Sequence, residues 1–155
     1  MENYQLLKFF HFIGIIIFLG NIIVTAIWKI LADRTKSPAI VAFSQRLVTI
    51  TDFAFTVTGV TLVAVTGIMM AAKFGDIADV LWLSWGTWLF ILSGIIWLLI
   101  LIPIQVKQAK AARDFSAKEE IPASYWILSK YWLVFGAIAT ALPLANLYFM
   151  VFKPT

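Results

Sequence analysis

Cysteine does not occur in the 155 residues of the chain. That excludes disulfides, thiolate-bound metals, iron–sulfur clusters and thiol redox chemistry. Histidine occurs once, as His11, so one chain cannot supply the paired imidazoles of a bis-histidine centre. Charge is scarce as well: 13% of the residues are charged while 62% are hydrophobic, and the mean hydropathy is +0.94. A water-soluble domain has no use for so much apolar surface. Internal repeats, low-complexity tracts and linkers are missing too, which leaves no room for a second, soluble unit.

What the chain does contain is four apolar runs, near residues 9–28, 50–72, 82–104 and 131–152. Each is about the 20 residues that cross a hydrocarbon core of roughly 30 Å as a helix. The runs are continuous and too long for the alternating strands of a barrel. The expected fold is therefore an all-α, four-transmembrane-helix bundle, a single integral membrane domain over residues 1–155. The first run exceeds a signal-peptide core and lacks a small-x-small cleavage site, so it is expected to be retained.

Basic residues set the expected orientation. Lys29, Arg34, Lys36 and Arg46 cluster in the first loop, and Lys107, Lys110, Arg113, Lys118 and Lys130 in the third, whereas the second loop and the two ends keep Lys8, Lys73 and Lys153. Under the positive-inside rule loops one and three are cytoplasmic and both termini face outward. The net charge of +4 then reflects basic loops beside anionic lipid, and no nucleic-acid partner is implied.

Boundary signals accompany the runs. Ser37 reads as an N-cap with Pro38 at the first helical position, opening a short helix that leads into the second span. "IPIQVKQAKAARD" carries the third span beyond Pro103, "KEEIPAS" is the turn before the fourth, and Pro143 predicts a kink within it. Trp82, Trp85 and Trp88, and Tyr125, Trp126, Tyr131 and Trp132, read as interfacial belts.

At helical spacing, His11, Gly14, Phe18, Asn21 and Thr25 fall on one stripe of span one; Asp52, Thr56, Gly59, Val63, Thr66 and Met70 on one of span two; and Gly136, Pro143 and Asn146 or Met150 on one of span four. Small and weakly polar stripes are what a helix presents to other helices. The faces around Gly86 and Gly94, and around Gly136 and Thr140, are candidates for contacts with a second copy or a larger membrane complex. Ionisable groups within a span are costly and pair or serve a function. For Asp52 a modest explanation suffices: a carboxylate near the start of span two complements a helix N-terminus or pairs with Arg46. His11 lies within roughly a turn of the outer boundary, a depth shared by Met70 and its neighbour Met69, by Ser84, Thr87 and Trp88, and by Asn146. An imidazole and a thioether are axial ligands of haem iron, and Lys8, Lys73 and Lys153 stand just outside, where haem propionates would meet them. The plainer alternative gives each a simpler role. His11 is hydrogen-bonded to Asn146 or a hydroxyl, the methionines pack, and the lysines snorkel.

The stretches "LLKFFHFIGIIIFLGNIIVTAIWK", "VTITDFAFTVTGVTLVAVTGIMM" and "YWILSKYWLVFGAIATALPLANLYFMVFKP" resemble an uncharacterised bacterial family of predicted integral membrane proteins, domain of unknown function twenty-two sixty-nine. The resemblance covers nearly the whole chain and implies a bacterial cytoplasmic (inner) membrane protein. More distantly the chain resembles HemJ-type protoporphyrinogen oxidases and CopD-like copper-resistance domains, through Lys8 and His11, Thr66-Gly67, Pro143 and Lys153-Pro154. The HemJ resemblance implies b-type haem on His11. HemJ-type enzymes, however, carry a lysine and a histidine in span three, where this chain reads "LWLSWGTWLFILSGIIW" with neither. A CopD-like copper site would need more soft ligands than His11, Met69, Met70 and Met150. Three functions stay open: a haem b membrane protein in electron transfer, a structural or accessory subunit of a larger complex, and an enzyme of porphyrin metabolism.

Overall fold

The computed structural model describes residues 2–118 and 120–154. Four long helices dominate, with no strand among the described residues: α1 Glu2–Thr35, α2 Pro38–Ala71, α3 Leu81–Phe115 and α4 Ala123–Phe152. At 1.5 Å per residue the 34 residues of α1 reach about 50 Å, longer than the hydrocarbon core, so the helices project beyond it. The chain runs up and down through the bundle. The turn between α2 and α3 shares one end with residue 2 and Lys153, called here the termini end. The turns α1–α2 and α3–α4 share the other, the basic end.

Local chemistry explains the breaks. Between α1 and α2 two residues suffice: Lys36 takes a positive φ of 53° and Pro38 starts the next helix. Ser37 holds the N-cap position without a side-chain cap bond. The α2–α3 turn reverses at Gly75, whose φ of 88° suits a residue without Cβ, and the Asp76 side chain accepts from the Ala78 N–H at 3.1 Å. The short helix expected before span two is continuous with it. The expected third turn is present, although Glu119 lies outside the described residues.

Hydroxyls inside the spans are satisfied locally. Thr58, Thr61, Thr87 and Thr140 each donate to the carbonyl four residues back, which lets threonine sit in an apolar environment without a partner on another helix. Large apolar side chains such as Ile16, Phe53, Ile68 and Leu99 cover the perimeter, as a lipid-facing surface requires.

The helices associate as two pairs. The second half of α2 packs on α1, and the first half of α3 packs on α4. The α1–α2 crossing is close: a Cβ added at Gly59 would lie 2.7 Å from the Phe18 Cβ and 2.8 Å from the Gly14 carbonyl. Only glycine permits that approach. Toward the basic end the pairs join, through the first half of α2 on the second half of α3 and through apolar clusters around Val41, Phe115 and Tyr125, and around Val48, Leu101 and Trp132. Tyr125 and Trp132 are thus core residues, not part of an interfacial belt, whereas Trp85 and Trp88 are exposed near the termini end as a belt requires.

Candidate functional site

Polar groups occur at three depths, and the helix pairing decides which of them meet. Nearest the termini end, His11 Nδ1 lies 2.9 Å from Thr66 Oγ1, with Gly67 beside the ring. The hydroxyl of Thr66 donates its one proton to the Leu62 carbonyl. Thr66 can therefore only accept from the imidazole, so Nδ1 carries a proton, and the Val63 backbone carbonyl also approaches the ring. Of the two partners expected for His11, a hydroxyl is the one present.

The other residues expected in that layer divide between the pairs. Met70 lies one turn beyond Thr66 on α2, and Met69 is exposed. Asn146 belongs to the α3–α4 pair: its side chain and that of Met150 cover Gly86, and its Oδ1 is buried without a partner. Lys8 lies over Phe12, Lys73 over Tyr4 at 4.6 Å, and Lys153 over Phe74 and Trp82. Lys8 and Lys73 so belong to the His11 pair, whereas Lys153 bridges α4 and the α2–α3 turn.

The middle depth holds Asp52. The carboxylate sits fourteen residues into α2, which begins at Pro38, so it does not complement a helix N-terminus, nor does it pair with Arg46. Its Oδ1 instead accepts from Asn21 Nδ2 at 3.0 Å and from Thr56 at 3.1 Å, and Asn21 also donates to Thr56 at 2.9 Å. Gln105 of α3 approaches the same carboxylate. All three neighbours are neutral. The backbone here widens into a π-helical turn, Asp52–Thr56, matched by a second at Trp97–Leu101 in α3. Wide turns of this kind mark functional sites often enough to be noted.

Both wide turns border a cavity of about 450 Å³ between the helix pairs, walled by residues of all four helices. Asp52, Thr56 and Trp97 line it, as do Gly94 and Gly136, where an added Cβ would meet nothing within 4 Å. Those two glycines border open space, Gly94 at an exposed position and Gly136 half-buried, while Gly86 is consumed by the α3–α4 contact. Ile23 and Ile27 of α1 and Leu144 of α4 line the cavity yet stay exposed, so it opens sideways toward lipid between α1 and α4.

At the third depth, toward the basic end, Lys29 is 1% exposed. Its ammonium donates to Tyr125 Oη at 2.9 Å, pairs with Asp33 at 3.4 Å, and lies over the rings of Tyr125 and Trp132. Ser129 of α4 donates to the same Asp33 oxygen. This group clamps α1 to α4 below the cavity. Sequence reasoning counts Lys29 as a loop charge; the length of α1 places it inside the bundle.

Among the described residues no group of three or more His, Asp or Glu side chains is arranged to hold a metal ion. Fold and polar layers together define a four-helix integral membrane protein with a cavity opening to the bilayer. By its sequence the chain belongs to the family DUF2269, described as a predicted integral membrane protein, whose model matches residues 5–154. Neither a curated protein nor a solved structure matches it.

Proposed function

We propose that this protein binds a membrane-soluble small molecule in the cavity between its two helix pairs. The observation that carries the reading is the cavity itself: about 450 Å³, apolar over most of its wall, open toward lipid, with one carboxylate, Asp52, on its surface. That volume lies in the range of ligand pockets, which combine apolar walls with a few placed polar groups. The test fills the space. Gly136→Leu adds a side chain where nothing lies within 4 Å of the Cβ, so the fold should persist while binding of a lipophilic probe falls. Unchanged binding in a folded variant would refute the reading.

A second reading has its own support, the proton on His11 Nδ1. An imidazole that donates Nδ1–H to a neighbour and keeps Nε2 free is the form in which histidine binds a metal. His11 would then hold b-type haem near the termini end, as the HemJ resemblance implies, with Lys8 and Lys73 the closest cations for its propionates. When bound, haem supplies a one-electron couple suited to membrane electron transfer. Met70 lies one turn beyond Thr66 on α2, and Asn146 belongs to the other helix pair. Haem content decides: a Soret band in the purified protein that His11→Ala removes supports the ligand assignment, and full haem content in His11→Ala refutes it. A folded, colourless protein returns the haem reading to that of an accessory subunit.

A further inference from the structure

We infer that the occupant of the cavity is a lipophilic amine in its protonated form, held by Asp52; the inference rests on the cavity being a binding site. The wall's own hydrogen bonds carry it. Thr25 donates to the Asn21 and Ile22 carbonyls, Thr56 to Asp52, Ser93 to the Ala139 carbonyl and Thr140 to the Gly136 carbonyl. Every one of these hydroxyls has spent its proton inside the protein. What the wall still presents is the Asp52 carboxylate, beside the indole rings of Trp97 and Trp132; a guest that meets the carboxylate oxygens brings a donor to them.

Charge narrows the donor further. No lysine or arginine lines the cavity, and the one ion pair among the described residues, Lys29 with Asp33, is complete without Asp52. The neighbours of Asp52 are an amide, a hydroxyl and a second amide, each able to hold a carboxylate in place and none able to neutralise it. A carboxylate buried among neutral donors stays costly in its charged form, and a cation brought beside it relieves that cost. Aromatic side chains are among the lining as well, Phe90 and Trp97 of α3 with Phe18 and Trp132, and aromatic surroundings suit a cation. An alkyl chain would occupy the apolar remainder and leave by the gap between α1 and α4. At roughly 30 Å³ per water-sized group, 450 Å³ has room for on the order of fifteen such groups, so a twelve-carbon amine is an apt probe.

The experiment uses the full chain in phosphatidylcholine nanodiscs, with empty discs as the partition control. Tritiated dodecylamine is displaced by unlabelled dodecylamine, dodecanol or dodecanoate, which share a tail and differ in the head. Dodecylamine should compete about tenfold or more better than dodecanol, the worth of a charge-assisted hydrogen bond, and dodecanoate should be weakest. Asp52→Asn, of the same shape, should erase the preference, and Asp52→Glu should retain it. Gly136→Leu should weaken all three. Equal competition by amine and alcohol, or a preference that survives in Asp52→Asn, would overturn the amine assignment while leaving the cavity as the site. Binding indifferent to Gly136→Leu would instead overturn the cavity reading itself. Should Asp52→Asn fail to give a monodisperse protein, the comparison of wild type with Asp52→Glu and the head-group series still decides.

Discussion

His11 and Lys29 are both costly residues to place in an apolar helix, and the chain meets the cost in different ways. For His11 the neighbouring helix suffices, through a threonine that already serves a backbone carbonyl and through the Val63 backbone. Nitrogen-15 spectra of histidine-labelled protein should report Nδ1 protonated; a dominant Nε2–H form would contradict the donor direction. Because Thr66 keeps its own acceptor, His11→Leu should change unfolding stability by no more than about 1 kcal/mol, and a loss of several kcal/mol would mean that the ring holds something besides Thr66 and Val63. Lys29 is more deeply committed, to a tyrosine hydroxyl, a carboxylate and two aromatic faces. Removing only the cation strands Asp33 among buried groups, so Lys29→Ala should cost about 3–5 kcal/mol. The double change Lys29→Met with Asp33→Leu should recover most of that loss, since an apolar pair of similar volume replaces a buried ion pair at little net cost. Denaturant unfolding in micelles measures both; a double variant as unstable as the single one would show that the pair contributes more than mutual compensation.

Among the elements, α4 illustrates how a helix breaker is absorbed. Pro143 has no N–H to give the Ala139 carbonyl, and that carbonyl accepts instead from Ser93 of α3 at 2.8 Å. Pro143 stands inside α4, which runs on from Ala123 to Phe152, and the acceptor it leaves vacant becomes a tie between helices. Ser93→Ala should therefore cost about 1–2 kcal/mol in the native background and nearly nothing beside Pro143→Ala, whose new N–H reclaims the carbonyl. A double-mutant cycle on unfolding free energy checks this, and strictly additive losses would disprove the tie. Other elements were legible in advance because their signals are local. Run length located the spans, and Pro38 located the start of α2. The site was less legible. The stripe containing Asn21 and the one containing Asp52 and Thr56 were both readable at helical spacing, yet their union depends on the Gly14–Gly59 crossing, a contact between distant residues. Nor does anything local announce the wide turns at Asp52–Thr56 and Trp97–Leu101.

For the whole molecule, the up-and-down course puts both basic turns at one end and both termini at the other, and charge then selects how that bundle sits in the bilayer. Taking Lys29 out of the loop count weakens the bias by one charge without reversing it: Arg34, Lys36 and Arg46 still accompany the α1–α2 turn, and Lys107, Lys110, Arg113, Lys118 and Lys130 the α3–α4 turn. At the termini end Lys8, Lys73 and Lys153 each lie over an aromatic ring, an arrangement in which a cation rests at the lipid boundary. The excess of basic residues should hold the α1–α2 and α3–α4 turns in the cytoplasm, because translocating them opposes the membrane potential by about 2.3 kcal/mol per charge per 100 mV. Epitope tags fused before residue 2 or after Pro154 should accordingly be cut by protease added to the outer face of intact cells, and a tag inserted near Arg113 should be cut only after the membrane is opened. The cavity lies nearer mid-depth: its wall runs from Phe18 to Ile30 on α1 and from Trp132 to Leu144 on α4, and the α4 stretch straddles the middle of its helix, so charge decides the sidedness of the turns and not that of the cavity. Tags cut in the opposite pattern would refute the charge argument and place the basic turns outside.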